Sequence, residues 1–303
     1  MAISTPERTA RAALAGLDSQ RRQRRVRERA FAAVLVAATG VSVAVLAVLL
    51  IDVVIDGAGR LNLDFLRVYA SRFPERTGIR AGLTGTLSLM LLVAATAFPI
   101  GVGAAVYLEE FAPDNRLTRL LEANINTLAG VPSIVYGLLG AAVFVYMLEM
   151  GRSLISGALT LALLILPVII VASRESLRAV PRAIRDGGLA LGATPLQVTW
   201  RQLIPAALPG ILTGTILSLS RAIGEAAPIL VVGAVFSRRA DSEPWNLLEA
   251  FTALPIEIFN FVSRPQEGFK IDAAAAAIIV LMAILLLLNS TAILLRNRFS
   301  RRW

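Results

Sequence analysis

The sequence predicts an all-α integral membrane protein with six transmembrane helices, and three observations carry that prediction. Of 303 residues, 56% are hydrophobic and 17% charged, with a mean hydropathy of +0.70, more apolar than soluble domains are. Five charge-free runs of 21 to 28 residues (31–51, 81–108, 123–148, 153–173 and 273–295) have the length, roughly 20 residues, that crosses a ~30 Å hydrocarbon core. A sixth apolar stretch, 208–236, is interrupted only by Arg221 and Glu225. One membrane domain is a better count than two soluble ones.

Residues 1–30 form a basic tail, expected to be poorly ordered over its first twenty residues and cytoplasmic. Arg21, Arg22, Arg24, Arg25, Arg27 and Arg29 crowd the start of the first span, and cytoplasmic flanks are enriched in such residues. The 21-residue apolar core that follows is longer than the apolar region of a signal peptide and lacks a convincing cleavage site, so it reads as a retained helix. Residues 31–80 then comprise that helix and an outside loop, and 81–303 the core domain.

Six crossings place 19 basic residues in inside segments and 10 outside, with both termini cytoplasmic. The net charge of +9 is thereby explained as topology and contact with membrane lipid rather than nucleic acid. Two long outside loops, 52–80 and 237–272, carry Phe65, Tyr69 and Phe73 in one and Trp245, Phe251, Phe259 and Phe261 in the other. These aromatics read equally as interfacial anchors or as partner contacts.

The chain contains neither Cys nor His, which excludes zinc sites, thiol nucleophiles and imidazole acid–base chemistry. Its single Lys, Lys270, follows Phe269, so no phosphate-cradling Gly-Lys-Ser/Thr loop exists. The expectation is a non-catalytic chain without metal or cofactor of its own.

The longest inside loop, about 174–207, carries Leu177, Val180, Ile184 and Leu191 at roughly helical spacing, predicting an amphipathic helix. Gly192 ends it. Thr194-Pro195-Leu196-Gln197 then has the pattern of a capping box with Pro at the first helical position, so a second helix begins there. Gly187 and Gly188 leave a bare surface for close approach of another backbone.

In the fifth span Gly214, Ser218, Arg221 and Glu225 recur at i, i+4, i+7 and i+11, a polar stripe on an otherwise apolar helix. A charge at the bilayer centre costs at least ~2.5–3.5 kcal/mol, so such residues face a cavity, mark a pathway or pair to fix packing. Arg offers permanently charged planar donors for an oxyanion, and Glu repels one unless it pairs with Arg or accepts a proton from the ligand. Hydrogen phosphate supplies both acceptors and a donor; sulfate lacks the donor. Pro228, just beyond, bends the span.

Arg185 to Gly210, RDGGLALGATPLQVTWRQLIPAALPG, resembles the EAA coupling motif of ABC importer permeases. Asp186-Gly187-Gly188 stands where that family has Glu-Ala-Ala, Gly192 is its central Gly and Pro205 its closing Pro. SRAIGEAAPILVVG (220–233), LAGVPSIVYGLLG (128–140), the segment 82–113 and the segments 251–269 and 273–299 are similar to PstA-type permeases of phosphate ABC importers. The resemblance implies the type I importer permease fold in a bacterial inner membrane, with Asp186, Gly187, Gly188, Gly192, Ala193 and Thr194 at the ATPase contact. It implies Arg221, Glu225 and Ser218 on the translocation path, with Pro132 and Ser133 shaping it or simply starting a helix. Implied partners are a PstC-like permease, a PstB-like ATPase dimer that binds ATP and Mg, and a PstS-like phosphate-binding protein. A permease for molybdate or sulfate, or an ATP-independent secondary transporter, remains the competing reading.

Overall fold

The computed structural model describes residues 5–234 and 247–299, and every regular element among them is helical. Contacts divide the chain at Ile55/Asp56 into two units. The described residues of the first form one long helix, α1 (Thr5–Ala58), whose last turn belongs to the second unit. α1 begins at Thr5, within the segment that the sequence predicts to be poorly ordered. After Pro6 the stretch is rich in Ala, Arg, Glu, Gln and Leu, strong helix formers that continue the helix backward from the span. None of side chains 27–55 is buried, as befits a helix apolar all round.

The second unit contains α2 (Leu63–Arg67), α3 (Arg80–Val106), α4 (Arg116–Leu128), α5 (Ser133–Gly140), α6 (Leu154–Arg178), α7 (Arg182–Ala190), α8 (Pro195–Val198), α9 (Ile204–Ile223), α10 (Ala227–Val232), α11 (Leu254–Val262) and α12 (Ala274–Phe299). π-Helical turns extend α3 through Tyr107–Phe111 and α5 through Ala141–Met147, join α8 to α9 through Thr199–Leu203, and lead into α12 through Gly268–Ala273. Among the described residues, five helical stretches are long and apolar enough to cross a membrane: Arg27–Ala58, Arg80–Phe111, Leu154–Arg178, Pro195–Ile223 and Gly268–Arg298. A sixth crossing is obtained when α4 and the α5 stretch, bent by 109°, are counted as one.

That bend corrects the expectation of one straight span over 123–148. Gly130, Val131 and Pro132 interrupt it, and Pro132 caps α5 outside helical geometry with ψ at 135°. Tyr136 is buried and its hydroxyl donates to the Leu128 carbonyl at 2.9 Å, which ties the end of α4 to the start of α5. The fifth span is corrected likewise. Its helix starts upstream at Pro195, runs to Ile223, and breaks at 224–226 before the short α10, which ends at Gly233 in the left-handed region. The remainder of the expected span, 235–236, lies outside the described residues, as does Trp245.

Three buried clusters stack along the second unit. The central one joins α3, α5, α6, α9, α10 and α11 through Val93, Ala97, Leu161, Ile165, Ile169 and their neighbours. Near α7, Val106, Leu177, Val198, Leu203, Ala207 and Ile211 form a second. At the other end Phe65, Ile79, Leu254, Phe261, Phe269 and Ala273 form the third, so segment 56–80 packs on the core. Burial corrects the interfacial reading for three of the aromatics. Phe65, Phe251 and Phe261 are fully buried, whereas Phe73 and Phe259 are exposed. Arginines stack over this end, with Arg264 4.3 Å from the Phe269 ring centroid and Arg80 5.1 Å from that of Tyr69.

Candidate translocation and coupling sites

The α7–α8 turn is assembled by local hydrogen bonding. Gly192, at φ +82°, ends α7 in the left-handed region. The Gly192 N–H donates to the Leu189 carbonyl (2.9 Å) and the Ala193 N–H to the Gly188 carbonyl (3.2 Å), the paired bonds of a Schellman ending. Thr194 then caps α8. Its hydroxyl accepts from the Gln197 N–H at 3.3 Å while the Gln197 side chain accepts from the Thr194 N–H at 3.0 Å, the reciprocal box read from the sequence.

The residues of this turn divide by exposure. Asp186, Gly187, Gly192 and Thr194 are exposed, Ala193 is half-buried and Gly188 is buried. A Cβ at Gly187 would meet nothing within 4 Å, but one at Gly188 would lie 2.7 Å from Gln202 Oε1 and 2.9 Å from Val198 Cγ2. The bare surface at Gly188 is therefore used against side chains of the same chain rather than a foreign backbone, because α8 folds back over α7. Leu177 is buried and Val180 and Ile184 half-buried on the core side, but Leu191 is 89% exposed. It lies beyond the end of α7, so the helical spacing no longer projects it inward. With Leu189, Leu196 and Trp200 it makes an exposed apolar rim around the turn. Gly187, Gly188, Leu191, Gln202 and Pro205 are among the residues that line a cavity of about 730 Å³.

Beneath the turn lies a charge network that the sequence reading missed. Arg174, whose side chain is only 7% exposed, donates from Nε to Glu109 (3.3 Å) and from Nη2 to Glu122 (2.6 Å). Arg178 donates to the same Glu109 carboxylate at 2.9 Å, and Arg185 of α7 pairs with the buried Glu110. The partners lie 52 to 75 positions apart in sequence. The available signal was the placement of Glu109 and Glu110 directly after one apolar run and Arg174 directly after another.

The intramembrane pair sits at the break between α9 and α10. Arg221 occupies the last turn of α9, where a cation complements the negative helix end, and Glu225 follows the Gly224 cap. Arg221 Nε is 3.3 Å from Glu225 Oε1, with side chains 49% and 19% exposed. Ser218, in contrast, is buried, and its hydroxyl donates to the Gly214 carbonyl at 2.9 Å. The structure thus brings Arg221 and Glu225 together at the surface and turns Ser218 into the packing. Gly137 of α5 sets the position of the break: a Cβ there would stand 2.7 Å from Pro228 Cα of α10. Pro132 and Ser133 begin α5.

Comparison with known proteins bears on both sites. Residues 97–303 match the family model described as binding-protein-dependent transport system inner membrane component. The probable ABC transporter permease protein YqgI of Bacillus subtilis is 32% identical over 75% of this chain and 77% of its own length. The phosphate transport system permease protein PstA 1 of Mycobacterium tuberculosis is 37% identical over 62% of this chain and 60% of its own length, so that match spans less than two thirds of the relative. Among solved structures, the inward-facing MetNI methionine ABC transporter superposes with a TM-score of 0.59 at 18% identity, over 74% of this chain and 98% of that one, and shares its fold. With five to six apolar spans and this match over most of its length, the chain belongs to the binding-protein-dependent transport system inner membrane components, the multi-pass permease subunits of ABC importers.

Proposed function

We propose that the chain is the PstA-type permease subunit of an ATP-driven importer of inorganic phosphate. The observation that carries this reading is the Arg221–Glu225 pair. It lies at a helix break in an apolar span, on a surface that this chain alone leaves half-open. A charged pair facing lipid is costly, so the surface is covered by a second permease and lines a polar path. The names of the PstA relatives in M. tuberculosis, M. leprae and Methanocaldococcus jannaschii support phosphate as the cargo.

In this reading a PstC-like permease supplies the other half of the path, a PstS-like protein delivers phosphate, and a PstB-like ATPase dimer docks on the α7–α8 turn. The exposed rim of Leu189, Leu191, Leu196 and Trp200, with Asp186, Gly187, Gly192, Ala193 and Thr194, supports that docking site. ATP and Mg are held by the ATPase, and this chain needs no cofactor. The arginine distribution supports both termini and the turn on the cytoplasmic side, and in this reading the spans lie in a bacterial inner membrane. At the path, Arg221 donates to phosphate oxygens while Glu225 accepts a hydrogen bond from the O–H that hydrogen phosphate retains and sulfate lacks. Ser218, its hydroxyl held by Gly214, supports the wall from behind.

Labelled-phosphate uptake by starved cells lacking the gene, with and without the wild-type copy, tests the cargo, with sulfate and molybdate as competitors. A phosphate-specific defect is expected, and an unaffected uptake in a strain with no other phosphate importer would refute it. Arg221→Gln is expected to abolish uptake in an assembled complex; normal transport by that variant would sink the role of the pair.

A further inference from the structure

The charge network beneath the coupling turn is more than a brace. Burying ion pairs contributes little net stability compared with apolar packing, whereas removing one partner strands a buried charge at high cost. Such groups are best understood where they select between discrete arrangements. Three features here match that use. Both Glu109 and Glu110 sit on the π-helical turn Tyr107–Phe111, an irregularity that is frequent at functional sites. The Glu109 carboxylate is shared between Arg174 and Arg178, which stand one helical turn apart on α6, so a one-turn slide exchanges its partner. Arg185 Nε is buried without a hydrogen-bond partner, so the grip of α7 on Glu110 is not the guanidinium's fully satisfied arrangement.

The contacts also form one connected route. From α7 it passes through Arg185 to Glu110, through the neighbouring Glu109 to Arg174, and on to Glu122 of α4. The end of α4 is tied to α5 by the Tyr136–Leu128 bond, and α5 presses Gly137 against Pro228, three residues beyond Glu225. We infer that Arg174, Arg185, Glu109, Glu110 and Glu122 are positioning residues that transmit movement of the coupling helix α7 to the helix break bearing Arg221 and Glu225. The inference rests on the reading that an ATPase docks at the α7–α8 turn.

The test uses the complete complex in proteoliposomes. The chain contains no Cys, so Leu217→Cys, at an exposed position one turn before Arg221, introduces its only thiol. Thiol labelling with and without a non-hydrolysable ATP analogue then reports the path independently of cargo. In the parent complex the analogue is expected to change the labelling rate about fivefold or more, the low end of ordinary coupling. With Glu122→Gln or Arg185→Gln added, the change is expected to fall below about twofold while the ATPase stays bound and hydrolyses ATP. Exchanging the charges, Glu110→Arg with Arg185→Glu, is expected to restore part of the response that either single reversal loses, which ties the response to the pair itself. An undiminished response in both glutamine variants, or a response lost only in step with ATPase binding, overturns the inference and leaves the permease reading intact. A parent complex that ignores the nucleotide overturns the docking reading and the inference with it. A parent complex that responds but moves no phosphate faults the cargo alone.

Discussion

A single backbone angle decides whether α7 and α8 fold into one turn. Gly192 holds φ at +82°, and nothing lies within 4 Å of where its Cβ would be, so substitution there is opposed by backbone conformation and not by a clash. The left-handed conformation costs an L-residue ~1–2 kcal/mol, more for a β-branched one and least for Asn. Gly192→Val is therefore expected to loosen the turn and release the ATPase from membranes, while Gly192→Asn retains most of it. Quantifying membrane-bound ATPase in the two strains checks this; equal retention in both would refute the turn's role in docking. Gly187, where a Cβ would meet nothing within 4 Å, has no such constraint, and Gly188 has the opposite one, being closed off by Gln202 and Val198. Gly192 was legible in the sequence as the helix end, but Gly187 and Gly188 shared one reason there, because what separates them is how α8 returns over α7.

At the scale of elements, legibility followed the range of the interaction. The Thr194–Gln197 box was readable because both partners lie within one turn. The elbow between α4 and α5 was missed because apolarity alone was followed through 123–148, although Gly130 and Pro132 marked the place. The network around Arg174 was illegible because its partners are set by packing of α3, α4 and α6. The elbow and the break at 224–226 meet at one contact, Gly137 on Pro228. A larger residue there must push α10 away, and overpacking of this kind costs ~1–3 kcal/mol. Gly137→Leu is thus expected to abolish uptake with the complex still assembled, and Gly137→Ala to give an intermediate rate. Uptake measured beside the yield of purified complex separates the two effects, and normal uptake by Gly137→Leu would show that this contact does not position Arg221.

For the whole molecule, the five to six apolar spans among the described residues follow from hydropathy, but the way α11 closes the far end does not. Glu257, an acid set between Ile256 and Ile258, is buried and outside the spanning helices. Its Oε1 accepts the Gly82 N–H at the start of α3 at 2.9 Å, its Oε2 is buried without a partner, and nearby the Leu254 N–H donates to Thr86. Burial lifts the carboxyl to about 8 against the opposing bond from Gly82. The native state therefore keeps this proton while the unfolded chain, titrating at 4.5, releases it. Below that value both states are protonated and the α11–α3 closure has its full strength. As pH rises from there towards 8 the stability it contributes falls, by ~1.4 kcal/mol for each pH unit across the window, and then levels off. Glu257→Gln keeps a neutral group that still accepts from Gly82 and has nothing to titrate. The variant is expected to differ little from wild type near pH 5 and to be increasingly more heat-stable than it by pH 8, read as the difference in Tm at matched scan rate in detergent. A difference that does not change between pH 5 and 8 would mean that Glu257 is already ionised in the folded protein, and that α11 is held to α3 by a buried charge instead of a buried acid.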